Sequence, residues 1–370
     1  MKRVATVTFH CSYNYGSALQ AYALQTFLLK QGFDTQIVDY RSADFDQYRL
    51  LPTKLSVRDL KRFVRTTCFL PAYLHRRNSF QTYWKEHFLL TKKTYTKWED
   101  LAELNARFDA FICGSDQIWN LDCTKGVDPG YFLEFVGPEK EKIAYAPSMA
   151  KSAFQVDHSE RLREALVGFD HLSVREKSSL PVLQQLTDRP VRVTIDPTML
   201  LEPEDFAQKK PDALSDDGDY IFVYMLGNDP ELIAYSNRLS EERHLPVFYI
   251  TEKQSWKIKR KLHGTDVFGA TPDEFLYYIA HARYVITTSF HATVFSVLFN
   301  TPFCTFHRIT TGDRTRELLS RLGLEGRAYS ESFDIDAGID HPYAMKELGK
   351  MKKDSIEYLL DALNDVPDEP

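Results

Sequence analysis

The sequence predicts an α/β protein built as two Rossmann-like lobes. Three observations carry that prediction. At 370 residues the chain exceeds what a single hydrophobic core usually fills. Short apolar runs of strand length alternate with helical runs from the first residues onward, which is the pattern of a parallel sheet covered by helices. The alternation also runs twice, once on each side of a polar stretch at 209–219 that holds Pro211, Ser215, Asp216, Asp217 and Gly218 and reads as a linker.

Residues 4–9 form a buried strand, Asn14-Tyr15-Gly16-Ser17 a turn, and 18–30 a helix with Leu19, Tyr22, Ala23 and Thr26 on one side. Gly32 stops that helix and 35–39 supply a second strand, so the chain opens with a β-α-β unit. The block 54–90 breaks the pattern as a helical insertion in the first lobe. Within it, residues 54–77 set Lys54, Arg58, Lys61, Arg62, Arg65, Arg76 and Arg77 against the single acid Asp59, with Phe63, Phe69, Leu70 and Tyr73 interleaved. Such a segment is either a solvated helical face or a surface that docks on an anionic membrane or a lipid-linked diphosphate.

Strands are expected at 110–113, 142–146, 172–175 and 191–195, with a helix at 176–186, completing a first lobe of residues 1–208. The second lobe, 209–342, reads as strands at 220–226, 247–250, 284–287 and 303–306 and helices at 230–243, 272–281 and 293–299. Thr271-Pro272-Asp273-Glu274 marks one helix start, with threonine as cap, proline in the first turn and glutamate three residues after the cap. A last helix, about 343–364 within the terminal segment 343–370, is expected to cross back onto the first lobe.

Composition narrows the function class. Apolar and charged fractions of 43% and 26% are those of an ordinary globular protein, and a formal charge of −6 gives no global attraction to nucleic acid. Any anion site is therefore built locally. Five scattered cysteines without a C-x-x-C pair fit a reducing cytoplasm and show no metal-ligand spacing. The apolar run after Met1-Lys2-Arg3 is too short for a secretory signal, and no run reaches the length of a membrane span, so membrane contact is expected to be peripheral.

In open α/β sheets ligands lie beyond the carboxyl ends of the strands, where the following helices point their first amide groups into the crevice. The junction Thr287-Thr288-Ser289-Phe290-His291 ends an apolar strand in hydroxyls and a histidine before an apolar helix. His291 is there either a hydrogen-bonded structural residue or a group that exchanges a proton with a ligand. A second junction, Gly114-Ser115-Asp116-Gln117-Ile118-Trp119-Asn120, offers an indole face and a carboxylate suited to a sugar ring, or else a turn with a packed tryptophan. Arg175 ends a third strand, where its fork suits a carboxylate or phosphate, or a pairing with Glu176. Asn14, Tyr15, Gly16, Ser17 and Gln20 line the first junction, while Asp196-Pro197-Thr198 shapes a turn. No G-x-G-x-x-G follows the first strand, and Walker, G-x-S-x-G and H-E-x-x-H motifs are missing from the sequence, which leaves the dinucleotide, NTPase, common hydrolase and zinc protease classes without support.

Together the segments Asn14-Tyr15-Gly16-Ser17-Ala18-Leu19-Gln20, Gly114-Ser115-Asp116-Gln117-Ile118-Trp119-Asn120, Ile143-Ala144-Tyr145-Ala146, Ser173-Val174-Arg175-Glu176, Asp196-Pro197-Thr198 and Ser289-Phe290-His291 resemble the polysaccharide pyruvyl transferase family, in the same order and over nearly the whole chain. The resemblance implies a GT-B-like fold, phosphoenolpyruvate as donor, and a sugar or lipid-linked oligosaccharide as acceptor, with no metal or other cofactor. It also implies that His291 and Arg175 serve the chemistry, that Thr288, Ser289, Arg308 and Arg314 hold the donor, and that Asn14, Tyr15, Gln20, Ser115, Asp116, Gln117 and Trp119 face the acceptor. Family members tend to carry Arg-Leu-His where this chain has Ser289-Phe290-His291, so one anion-binding arginine is missing from its usual place. Two other functions fit the same architecture: a glycosyltransferase using a nucleotide sugar, and a glycan-binding module without catalysis.

Overall fold

The computed structural model describes residues 1–42, 57–149, 159–214, 218–307 and 312–364. Arg308, Lys54 and part of the linker, Ser215 to Asp217, lie outside them. In chain order the elements are β1 (Arg3–Val7), α1 (Tyr15–Lys30), β2 (Asp34–Ile37), α2 (Val57–Cys68), α3 (Leu70–His87), β3 (Ala110–Cys113), α4 (Leu121–Thr124), β4 (Glu141–Ala144), α5 (Ser159–Val167), β5 (His171–Val174), α6 (Leu180–Leu183) and β6 (Val191–Val193). They continue as β7 (Ile221–Met225), α7 (Pro230–Arg243), β8 (Val247–Thr251), α8 (Trp256–Lys259), β9 (Thr265–Asp266), α9 (Pro272–Ala280), β10 (Tyr284–Thr287), α10 (Phe290–Leu298), β11 (Phe303–Thr305), α11 (Gly312–Arg321) and α12 (His341–Asn364).

The chain divides into two compact units, one of residues 1–48, 87–201 and 346–370 and the other of 49–86 and 202–345. Among the described residues the first holds a six-stranded sheet in the order β2-β1-β3-β4-β5-β6 and the second a five-stranded sheet in the order β11-β10-β7-β8-β9. Every strand pairing in both is parallel. Parallel strands buried on both faces need apolar side chains in both directions, and Ile221 to Met225 and Ala110 to Cys113 are buried at every position.

Within the first unit, α1 starts where the Asn14 side chain accepts from the Ser17 amide at 3.3 Å. Part of α12 packs here too: Tyr358 donates to the Ala144 carbonyl at 2.9 Å, the Ile195 amide to Ser355 Oγ at 3.0 Å, and Lys2 to the Leu363 carbonyl at 2.5 Å. A core cluster there gathers Trp119, Phe132, Phe169, Phe111 and Tyr131 around β3.

The helical insertion departs from the expectation that it belongs with the first lobe. Residues 49–86 group with the second unit because α3 is fastened to the loop after β9. Arg76 donates to the Phe268 carbonyl at 3.1 Å with its guanidinium 4.4 Å from the Phe268 ring, and Ser79 donates to the Gly269 carbonyl at 2.6 Å. Gly269 permits the approach: a Cβ there would stand 1.9 Å from the His75 ring. In the second unit α9 opens on Thr271 and Glu274 in a reciprocal capping box. No helix among the described residues is long and apolar enough to cross a membrane.

Candidate active site

In the first unit the carboxyl ends of β1, β3, β5 and β6 are tied into one buried polar network. Arg175 donates to Asp196 Oδ2 at 2.7 Å and to Ser115 Oγ at 3.4 Å, and Ser115 donates to the same carboxylate at 2.8 Å. Thr198 closes the other oxygen, Oδ1, through its amide at 3.1 Å and its hydroxyl at 2.8 Å. Glu176 lies 3.9 Å from Arg175 Nε and accepts from Ser148 Oγ, Ser179 Oγ and the Met149 amide. Arg175 is thus a buried cation between two carboxylates, and burial, which opposes its charge, is outweighed by Asp196 and Glu176 so that its pKa rises. As placed, the guanidinium serves to position Ser115 and Asp196, and the sequence expectation of an open anion clamp does not match this geometry.

The other first-unit candidates fall into two groups. Gln20 is fully buried, its amide donating to Thr8 Oγ1, the Phe9 carbonyl and the Ser17 carbonyl, and Tyr15 is buried in the core. Asp116 adopts a left-handed φ of 70°, which aspartate tolerates, and accepts from the Ser17 hydroxyl and the Gln117 amide. Asn14 and Gln117 are the partly exposed members, with Gln117 Oε1 accepting from Asn120. Trp119 corrects the expectation of a sugar platform: it is 1% exposed, stacks on Phe132 at 5.0 Å and 4°, and donates its indole N–H to the Tyr131 carbonyl. Both ring faces belong to the core.

The sequence reading missed a second polar cluster, just past β1 and β2. His10 is fully buried with Nδ1 3.1 Å from the Thr8 carbonyl and Nε2 3.0 Å from Asp39 Oδ1, while Arg41 and Thr94 also donate to Asp39. Two acceptors facing both ring nitrogens favour the imidazolium. Burial acts against that charge, yet Cys11 and Asp39 outweigh it and raise the His10 pKa to about 10. Cys11 joins His10 and Asp39 in a group whose polar atoms lie within 4.8 Å of one another, but a protonated His10 with both nitrogens facing acceptors offers no lone pair to a cation. The only sequence signal was the spacing of His10 and Asp39 at the ends of adjacent parallel strands.

In the second unit the junction between β10 and α10 has the form the sequence suggested. Ser289 caps α10 by accepting from the Ala292 amide, so the first amide groups of a wholly buried helix gather there. Thr287 donates to the Tyr224 carbonyl at 2.7 Å and accepts from the Ser289 amide, and Thr288 Oγ1 accepts from the Leu226 amide at 2.8 Å. These hydroxyls fix the loop. Phe290 meets the His291 ring edge to face at 5.3 Å, and the Arg314 guanidinium lies 5.9 Å from the Phe290 centroid. His291 and Arg314, each 8% exposed, therefore both lie near one aromatic ring at the start of α10. Arg316, the next arginine of α11, is exposed. A cation, a histidine and the amides of a helix start suit a small dianionic ligand.

Comparison with known proteins follows the same outline. The sequence profile of the family described as Polysaccharide pyruvyl transferase matches residues 14–307. No individually curated protein matches the sequence. Among solved structures, the S. aureus MnaA–UDP co-structure is similar with a TM-score of 0.56 at 14% identity, covering 100% of this chain and 99% of that one. A UDP-N-acetylglucosamine 2-epimerase gives 0.54 at 11% identity over 100% and 98%, and a glycosyltransferase involved in avilamycin A biosynthesis gives 0.51 at 11% identity over 99% and 99%. At such identities the likeness is one of fold.

Proposed function

Because the chain belongs to the polysaccharide pyruvyl transferase family, we propose that it transfers the enolpyruvyl group of phosphoenolpyruvate to two hydroxyls of a sugar in a polysaccharide precursor, forming a pyruvate ketal and releasing phosphate. The observation that carries this reading is that Arg314 and His291 both lie against Phe290, 5.9 Å and 5.3 Å from its ring centre. Family members tend to supply an arginine two residues before this histidine, where the chain has Ser289. Arg314 brings a guanidinium to the same junction from α11.

The chemistry assigns roles. A proton adds to the methylene carbon of the donor while one sugar hydroxyl attacks the neighbouring carbon and loses its proton. The carbon–oxygen bond to phosphate then breaks, and the second hydroxyl closes the ketal with loss of its proton to the departing phosphate. His291 is the proton donor or the group that steadies the phosphate, and Arg314 with the α10 amides neutralises charge on phosphate and carboxylate. Thr288 and Ser289 hold the loop that presents them. The acceptor lies with the first unit, where Asn14, Gln117 and Asp116 surround the strand ends. Arg175 keeps Asp196 and Ser115 in place without touching substrate.

The test is the melting temperature with phosphoenolpyruvate, UDP and GDP in parallel, for the wild type, His291→Ala and Arg314→Ala. Phosphoenolpyruvate should stabilise the wild type and neither variant. A shift with nucleotide alone would move the function to glycosyl transfer.

A further inference from the structure

Helix α2 carries an apolar stripe that its own unit does not cover. Leu60, Phe63 and Val64 are 60%, 47% and 52% exposed and follow the i, i+3, i+4 spacing of one helical face. Lys61, Arg62 and Arg65 stand on the same two turns, and Asp59 is the one acid of the helix. Beside it Trp256, 60% exposed, packs its ring 4.8 Å from Phe69. Leu60 and Val64 of this stripe, together with Lys61, Arg65, Trp256 and Lys257, line a groove of about 890 Å³ between α2 and the loops after β7 and β8. Lys253 also lines it, paired with Glu252 at 2.8 Å.

Exposed aliphatic and aromatic side chains beside cations are unfavourable in water and favourable at one kind of boundary. A lipid interface takes up the apolar stripe, places an indole at head-group depth, and carries a negative charge complementary to the neighbouring cations. The charge contrast is local: the protein as a whole carries −6 and would be repelled from an anionic surface except through such a patch. We infer that α2 and Trp256 form a docking surface for an anionic phospholipid bilayer, with Leu60, Phe63 and Val64 entering the interface and Lys61, Arg62 and Arg65 facing the phosphate layer. The inference is independent of the donor assignment, since it involves neither β10 nor α10.

The experiment is sedimentation of the full chain with vesicles of phosphatidylcholine alone and of phosphatidylcholine with phosphatidylglycerol, alongside Trp256 fluorescence. Wild type should pellet with the anionic vesicles only, with a blue shift that Trp256→Phe removes. Reversing charge in Lys61→Glu/Arg65→Glu should weaken the partition by about 600-fold, since each reversal shifts the charge by two units and one unit of charge near an anionic surface is worth a factor of roughly five. Phe63→Ser should weaken it without changing the melting temperature, because the side chain is already half exposed. Equal binding to neutral vesicles, absence of binding to either, or full binding by the charge-reversed variant would overturn the inference.

Discussion

The guanidinium of Arg314 rests 5.9 Å from the centre of the Phe290 ring, and His291 meets the same ring at 5.3 Å from its neighbouring position. Phe290 thereby holds a cation and an imidazole at the start of α10. Removing Arg314 removes charge-assisted bonds to the proposed donor, worth about 10- to 100-fold in affinity. Arg314→Ala is expected to raise the Kd for phosphoenolpyruvate by that factor. Arg314→Lys should recover part of it, since lysine restores the charge and not the fork. Calorimetric titration of each variant checks this, and unchanged affinity in Arg314→Ala would remove the arginine from the site.

Arg175 behaves differently, because it is buried against Asp196 at 2.7 Å and Glu176 at 3.9 Å. Arg175→Ala leaves two buried carboxylates without their cation, a loss of about 3–5 kcal/mol of stability. Urea unfolding should show it as a lower midpoint with an unchanged slope. An open donor clamp would instead lose ligand affinity at constant stability, so the two roles separate in one pair of measurements.

Trp119 is expected to act through packing as well. Its ring lies flat on Phe132 at 5.0 Å and edge-on to Phe169 at 5.7 Å. Trp119→Ala should cost about 3–5 kcal/mol. Trp119→Phe, which keeps an aromatic plane against Phe132, should lose less and leave acceptor KM unchanged. A rise in acceptor KM at full stability would return the indole to the sugar site.

Most of the fold is written in local pattern. The Thr271 capping box, the buried run from Ile221 to Met225 and the hydroxyl-rich end of β10 each depend on a few adjacent residues, and each forms as its segment suggests. The candidate donor junction was legible for that reason, although α10 begins at Phe290, three residues earlier than its apolar run implied. What escaped the sequence depends on distant partners. Trp119 is committed by Phe132 and Phe169, Arg175 by Asp196, and the insertion by contacts such as Ser79 with Gly269, 190 residues away. A strand-end arginine or tryptophan looks the same in sequence whether it faces a ligand or a buried partner.

The His10 and Asp39 pair links stability to pH, with a sign that follows from their shifts. Burial alone would lower the His10 pKa and raise that of Asp39, but the contacts among His10, Cys11, Asp39 and Arg41 prevail in both cases. His10 is raised from 6.5 to about 10, so its proton is held more tightly in the folded chain; the stability this contributes is complete below about 6.5 and is lost as pH rises towards 10. Asp39 is held well below the usual carboxylate range by His10, Arg41 and Thr94, so its contribution is present above that range and is lost as pH falls through it. The wild type should therefore be most stable between about pH 5 and 6.5, with the unfolding free energy declining on the alkaline side. His10→Asn removes the group that titrates there while keeping a donor for Asp39, and should flatten the slope between pH 6.5 and 10. Urea unfolding at closely spaced pH values measures it directly. A slope that survives in His10→Asn would mean that the imidazole is neutral in the fold and that Arg41 alone neutralises Asp39.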